Sequence, residues 1–243
     1  MRGKEMKKSV LVTGASRGIG RASAAAFARA GYRVCIHYHS SGAEAEALEA
    51  ELLAEGCDVF RLQAELTSAE EVKNLFAAAG KVDILLNNAG ISQEIPFLEM
   101  SEEDWDRMLA VNLKSVFLCS RAAAAQMVRR GEGKILNISS MWGLVGASCE
   151  VHYSAAKAGV IGFTKALAKE LGPSGVQVNC IAPGVIDTDM NRWLSPEDLA
   201  VLREQTPLGR IGTPEDVARA ALYLAEDRFI TGEVLNISGG FVI

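Results

Sequence analysis

Histidine and cysteine are scarce in this chain: three His and five Cys among 243 residues, with no CxxC or HxxxH pair to bring metal ligands together. No resident metal is expected from such a set. The five thiols, Cys35, Cys57, Cys119, Cys149 and Cys180, are odd in number and scattered, and four of them stand in apolar stretches. They read as small buried hydrophobes of a reducing compartment rather than as a disulfide framework. Positive charge is also in deficit, 25 Lys+Arg against 30 Asp+Glu, which argues against a partner made of phosphates. Uninterrupted apolar runs fall well short of the ~20 residues that span a bilayer. Residues 1–8 are polar and basic with no apolar stretch behind them, so a flexible leader is expected there and not a secretory signal. These absences together predict a cytoplasmic protein with neither nucleic acid nor membrane as partner.

What is present is a regular alternation. Short runs rich in Val, Ile and Leu occupy 9–13, 33–38, 58–62, 82–86, 134–139, 176–182 and 233–237. Most are apolar throughout, as parallel strands covered on both faces must be. Ala-, Leu- and Glu-rich stretches at 18–30, 43–55, 68–79, 102–130, 154–171 and 214–225 supply helices long enough for right-handed crossovers. The pattern predicts an α/β fold, a doubly wound Rossmann-type sheet of seven parallel strands with helices on both faces. No linker, repeat or low-complexity tract divides the chain, so 9–243 is expected to be a single domain. The stretch 187–212, with Trp193, Pro196, Pro207 and Gly209, breaks the alternation and is expected to form a short helical flap over a site.

The first strand runs into Thr13-Gly14-Ala15-Ser16-Arg17-Gly18-Ile19-Gly20, and a helix opens within that turn. Gly14 permits a sharp turn, Gly18 a close approach of backbone to phosphate, and Gly20 close packing of helix on strand. The helix N-terminus then offers free N–H groups and a positive dipole end to a pyrophosphate. After the second strand comes His37-Tyr38-His39-Ser40-Ser41, with no carboxylate before Glu44 to grip a ribose diol. Arg17, helped by a serine hydroxyl, is suited to a 2′-phosphate, the alternative being a solvated guanidinium. The missing acid favours NADP(H) over NAD(H).

Tyr153 and Lys157 stand four residues apart, on one face of a helix. Ser140 follows the strand at 134–139 and so falls at the carboxyl edge, where open α/β sheets place ligands. A neutral Tyr can give a proton to a ketone oxygen that is receiving a hydride, and a neighbouring Lys⁺ would lower its pKa from near 10. A Ser hydroxyl can hold the same oxygen. Asn112 lies inside the long helix that precedes that strand.

At these residues the sequence resembles the short-chain dehydrogenase/reductase family, from Ser9 to Phe241. The family's glycine turn matches Thr13 to Gly20, its NNAG element matches Asn87-Asn88-Ala89-Gly90, its Asn–Ser–Tyr–Lys tetrad matches Asn112, Ser140, Tyr153 and Lys157, and its PG element matches Pro183-Gly184. The resemblance implies that Tyr153 is the acid/base, that Lys157 binds the nicotinamide ribose, that Ser140 orients the carbonyl, and that Asn112 holds a relay water. It further implies cofactor contacts from Gly14, Ser16, Arg17, Gly18, Ile19 and Gly20, from Tyr38, His39 and Ser40, and from Glu65 and Leu66. Asn88, Ala89 and Gly90 would line the adenosine ribose, while Pro183, Gly184, Ile186 and Thr188 would meet the nicotinamide. Glu65 departs from the Asp usual beside the adenine, which implies a shifted contact.

Within the family the C-terminal Thr231-Gly232-Glu233-Val234 and Gly239-Gly240 are similar to the 3-oxoacyl-carrier-protein reductase branch of fatty acid biosynthesis, which commonly forms homotetramers through helices corresponding to 102–130 and 154–171. Trp142 and Cys149-Glu150 look instead like a bacterial offshoot that reduces the ketone on a 5-aminopentanone-modified lysine of elongation factor P. Two readings of Glu150 stand open here: a partner for a cationic substrate group, or a solvated carboxylate beside a Trp142 that packs the loop. A generic alcohol or sugar dehydrogenase is a further alternative. A cofactor-sensing protein without turnover would carry a broken tetrad, and this tetrad is intact.

Overall fold

The computed structural model describes residues 7–191 and 195–243. Seven parallel strands make one sheet: β1 (Ser9–Val12), β2 (Arg33–Tyr38), β3 (Asp58–Gln63), β4 (Ile84–Asn87), β5 (Gly133–Ile138), β6 (Val176–Pro183) and β7 (Val234–Ile237), in the order β3-β2-β1-β4-β5-β6-β7. The inner strands carry apolar runs because both of their faces are covered, while the edge strands β3 and β7 are only partly buried. Val10, Val12, Ile84 and Leu86 point into one core cluster with Phe27 of α1 (Gly18–Arg29) and Val217 of α9 (Pro214–Glu226). Their chain neighbours Leu11 and Leu85 point the other way, against Val72 and Phe76 of α3 (Ala69–Ala79) and Met127 of α5 (Ser115–Arg130). Burying a large apolar side chain fully contributes about 1.5–3 kcal/mol, so both layers hold the central strands.

The chain winds outward from β1 through β2 to β3, then returns to set β4 on the other side of β1. The carboxyl ends of β1 and β4 therefore flank a switch point, where the connecting loops diverge and leave a crevice.

Several elements differ from the sequence expectation. The helix foreseen over 102–130 divides into α4 (Glu102–Leu109), a π-turn at Ala110–Lys114, and α5. Its 29 residues are long and apolar enough to cross a membrane by length and composition, yet 44% of the apolar window is buried inside the protein. It packs on α3, β4 and β5, as a core helix does. The helix expected to begin at residue 154 begins earlier, as α7 (Val151–Leu171), because the Glu150 carbonyl accepts from Ser154 N–H at 2.8 Å. A short α6 (Trp142–Val145) precedes it, and α2 (Gly42–Ala54) joins β2 to β3.

The stretch 187–212 carries the short helix expected of it. It holds α8 (Pro196–Gln205), whose Ser195 and Asp198 form a capping box with Pro196 in the first turn. Its neck is closed by backbone bonds from Asp187 N–H to the Gly212 carbonyl at 2.9 Å and from Gly212 N–H to the Val185 carbonyl at 2.8 Å. Trp193 lies outside the described residues. So do residues 1–6 of the expected leader, but Lys8 is already tied to the sheet at the amino end of β1, its carbonyl accepting from Arg33 N–H at 3.0 Å.

Candidate active site

The crevice at the switch point is a cleft of about 1230 Å³. That exceeds the ~300–1,000 Å³ of a site for one small ligand and leaves room for an extended molecule plus a second one. Its floor begins at the glycine turn. Gly14 holds φ +61°, and a side chain there would bring its Cβ to 2.9 Å from Ala89 Cα. A Cβ on Gly20 would overlap the Gly14 carbonyl oxygen, so Gly20 serves helix–turn packing from behind the cleft. Three strands pin the turn. Thr13 Oγ1 accepts from Asn88 N–H (2.9 Å) and Ala89 N–H (3.0 Å), and Asn88 Nδ2 donates to the carbonyls of Thr13 (2.9 Å) and Gly14 (3.0 Å). From β2, His37 Nδ1 accepts from Gly14 N–H at 3.1 Å.

Arg17 occupies the position just before α1 in extended conformation, no side chain caps the helix, and no acid sits in its first turn. The first-turn N–H groups and the dipole end are thus left for an anion. Ser16, Arg17, Gly18 and Ile19 all line the cleft. This open, glycine-built cradle at a helix N-terminus fits a pyrophosphate.

At the outer end, His39, Ser40, Glu65 and Leu66 line the cleft. Glu65 Oε2 lies 3.2 Å from His39 Nε2, and Oε1 accepts from Thr67 N–H at 2.8 Å. Partial burial pushes the Glu65 carboxyl up, but the bonds from Thr67 and the nearby histidines outweigh it and hold the carboxyl below its ordinary value. Tyr38 corrects an expectation: it packs with Ile36 on the first core cluster, clear of the cleft. Side chains alternate along a strand, so a His37 that faces the turn sends Tyr38 to the opposite face.

The inner end gathers the tetrad. Asn112 sits in the π-turn, where Ser115 N–H reaches back five residues to the Ala110 carbonyl. Its fully buried amide grips Ile91, accepting from the N–H at 3.2 Å and donating to the carbonyl at 3.0 Å. A Cβ on Gly90 would come within 2.5 Å of Asn112 Oδ1, which accounts for the glycine. The Asn112 side chain is therefore a strap on the segment after β4.

Ser140 follows β5 and lies buried, its Oγ accepting from Trp142 N–H at 3.2 Å. Tyr153 and Lys157 rise from α7. Lys157 Nζ donates to the Ile138 carbonyl at 3.0 Å and stands 5.6 Å from the Tyr153 ring centre. Burial pulls the ammonium down to about 8, with the Cys180 sulfur opposing. Burial likewise pushes the Tyr153 phenol up to about 12, against a hydrogen bond to Ser140 and helped by Glu150. The expected lowering of Tyr153 by Lys157 is not what this geometry gives, since desolvation dominates both groups. The phenol is thus fully protonated near neutral pH, the state a proton donor needs.

Beyond the tetrad, Trp142 meets Phe241 edge-on, with ring centres 6.0 Å apart, and lines the cleft. Glu150 is only 9% exposed, so it is not a solvated carboxylate. Burial and the like charge of Glu94 push it up to about 7. Pro183, Gly184, Ile186 and Thr188 complete the inner wall. The sequence reading did not assign His37, Gln93, Glu94, Arg107, Met190 or Leu202, which also line the cleft. For His37 the signal was available: an imidazole at the end of an otherwise apolar buried strand.

A parallel sheet whose switch-point cleft joins an uncapped glycine cradle to a buried Ser–Tyr–Lys cluster defines an oxidoreductase that acts on a ketone or the corresponding alcohol, and the chain belongs to the short-chain dehydrogenase/reductase family. It matches the family described as Enoyl-(Acyl carrier protein) reductase over residues 14–242. More particularly, it is similar to a 3-oxoacyl-(acyl-carrier-protein) reductase of Staphylococcus aureus, 43% identical over 97% of this chain and 98% of that one. A reductase of the same name from Synechocystis is 44% identical over 96% of both chains. A crystal structure from Agrobacterium tumefaciens, described provisionally as a gluconate dehydrogenase, superposes with a TM-score of 0.93 at 35% identity, covering 97% of each chain. The family works with a nicotinamide cofactor.

Proposed function

We propose that the protein reduces the ketone of a 3-oxoacyl thioester held on a carrier protein, using NADPH in preference to NADH. The observation that carries this reading is the convergence of Ser140, Tyr153 and Lys157 at the inner end of a cleft whose outer end is a glycine cradle. Its support for the substrate is the naming of the full-length relatives above. Support for NADPH is the absence of an acid directly after β2, where His39 and Ser40 stand, with the exposed Arg17 at the cleft wall.

When bound, the nicotinamide supplies a hydride to the carbonyl carbon. The Tyr153 phenol gives its proton to the carbonyl oxygen as that oxygen gains electrons. The Ser140 hydroxyl, which shares the inner end of the cleft with Tyr153, holds the same oxygen in line. Lys157, anchored on the Ile138 carbonyl, places positive charge beside the ring that becomes a phenolate. Gly90 and the Asn112–Ile91 strap keep the floor under this group closed.

The segment 187–212 serves as the substrate-side flap of a single domain, with Met190, Asn191 and Leu202 facing the cleft. A homotetramer uses the apolar strip around Gly159, where Leu109, Leu113, Phe117 and Phe163 surround a shallow depression. The setting is cytoplasmic. NADPH oxidation with acetoacetyl thioester tests the reading. Tyr153→Phe should lower kcat by about 10²–10⁴ while leaving thermal stability within about 0.5–1.5 kcal/mol of wild type. Activity that survives the substitution would overturn the assignment of the proton donor.

A second reading is favoured by Glu150, a cleft carboxylate with no side-chain ion pair or hydrogen bond among the described residues and a second carboxylate, Glu94, close by. A cation would relieve both, which suits the ketone on a 5-aminopentanone-modified lysine of elongation factor P. On this reading Glu150→Gln impairs turnover of the modified protein and spares small neutral ketones. Equal turnover of both by the variant removes it.

A further inference from the structure

The reading of the cleft as a nicotinamide dinucleotide site leaves the buried His37 on its wall without a role. His37 is 1% exposed and lies at the end of β2, away from the reacting centre. Both of its ring nitrogens are used, and in opposite senses. Gly14 N–H is a donor, so Nδ1, at 3.1 Å, must offer its lone pair. The Ala64 carbonyl is an acceptor, so Nε2, also at 3.1 Å, must carry the hydrogen. Only the neutral Nε2–H tautomer meets both demands. A protonated ring would turn an N–H against the N–H of Gly14.

The surroundings keep the ring in that state. Burial pulls its pKa down to about 4, His39 adds to the lowering, and only the backbone bond to Ala64 and the charge of Glu65 oppose it. No carboxylate touches the ring. What the ring holds is equally specific. Gly14 is where the chain turns at φ +61° before α1, its carbonyl is taken by Asn88 Nδ2, and Ala15 N–H donates to the His37 carbonyl at 2.8 Å. Ala64 leads directly into Glu65 and Leu66, which line the outer end of the cleft.

We infer that His37 is a positioning residue for the cofactor: its imidazole, held in the Nε2–H tautomer by the Ala64 carbonyl, gives Gly14 N–H the acceptor that fixes the glycine turn under the pyrophosphate. The residue touches neither the substrate nor the tetrad. It acts through Gly14 and Ala64.

Two conservative variants separate the bonds. In His37→Asn the amide oxygen stands where Nδ1 stood and can still accept from Gly14, while the link to Ala64 is lost. In His37→Gln the amide nitrogen reaches toward Ala64, and Gly14 N–H loses its acceptor. Each variant forfeits one buried hydrogen bond, so a merely structural role would weaken both alike. Fluorescence titration with NADPH should give His37→Asn a Kd within about threefold of wild type and His37→Gln a Kd raised about tenfold or more, with the loss falling on KM for NADPH rather than on kcat. Equal Kd values for the two, or the reverse order, overturn the inference. ¹⁵N-histidine spectra of the wild-type protein provide a measurement that needs no variant. One of three imidazoles should hold the Nε2–H tautomer without titrating from about pH 5 to about pH 8, and its resonances should shift on NADPH addition. A titrating or Nδ1–H ring there overturns the inference as well. Wild-type protein that binds neither NADPH nor NADH would instead remove the dinucleotide reading on which this rests.

Discussion

The two halves of the cleft are built on different principles. In the half proposed for the cofactor the turn itself is locked, Thr13, Gly14, His37 and Asn88 forming a closed set of backbone and side-chain bonds around two glycines that admit no side chain, and only the first-turn N–H groups of α1 are left open. In the half proposed for the substrate Glu150 stands beside the like charge of Glu94, and just behind the cleft wall, among the described residues, His152 is buried with neither ring nitrogen bonded and Cys149 holds φ +61° without being glycine. Strain and unpaired polarity of this kind collect where a protein is shaped for a ligand rather than for its own stability. The contrast teaches that the cofactor half is fixed by backbone geometry, and the substrate half by a few tuned side chains.

The contrast can be broken most severely at Gly20. In Gly20→Ala the new Cβ overlaps the Gly14 carbonyl and lies 2.5 Å from Asn88 Nδ2, so the pinned turn must shift. A stability loss of about 1–3 kcal/mol is expected in thermal melts, together with NADPH binding too weak to saturate. A variant that melts and binds like wild type would mean that the turn is not rigid. A smaller effect is expected at the exposed end of the same half. Arg17→Ala should raise KM for NADPH by about tenfold and KM for NADH far less, because one charge-assisted phosphate contact is lost. Equal rises for both cofactors would remove Arg17 as the reader of the 2′-phosphate.

The smallest effect sharpens the other side of the comparison. Glu150 is raised from 4.5 to about 7, so the folded protein holds this proton more tightly than the unfolded chain does. Its contribution to stability is therefore fully present below pH 4.5 and is lost as pH rises through about 7. Glu150→Gln should melt with wild type near pH 4.5 and melt higher by a few degrees near pH 8, at roughly 2–4 °C per kcal/mol. A gain that does not grow across this window would show that the carboxylate already has a partner.

How much was legible in the sequence follows the same division. The glycine turn, the seven apolar strands and the position of Ser140 at a strand end could be read directly, because each is a local demand of backbone geometry. Tyr153 and Lys157 were legible from their spacing, although their helix begins at Val151 with no capping side chain to announce it. The orientation of Tyr38 was not legible, since a strand buried on both faces gives no alternation from which to assign inward and outward positions. Nor was the π-turn at Asn112, whose cause is tertiary, the grip of that side chain on Ile91. Glu150 was left open because a carboxylate is solvated by default and only the packed loop shows it buried. The helix Pro196–Gln205 fits the short helical flap expected over 187–212, and its cap, Ser195 with Asp198 and Pro196, was legible in the sequence, although Pro207 and Gly209 blurred where it ends.

The backbone bridge between Ile186 and Gly212 carries one more consequence. It closes the neck of the 187–212 excursion, so the chain leaves the body and returns to it at adjacent points. The ends of such a loop stay joined whatever its length, and lengthening it adds only about 0.6 kcal/mol per doubling. Everything between those two residues is therefore an exchangeable cassette. Descendants of this scaffold can trade it whole without moving a strand.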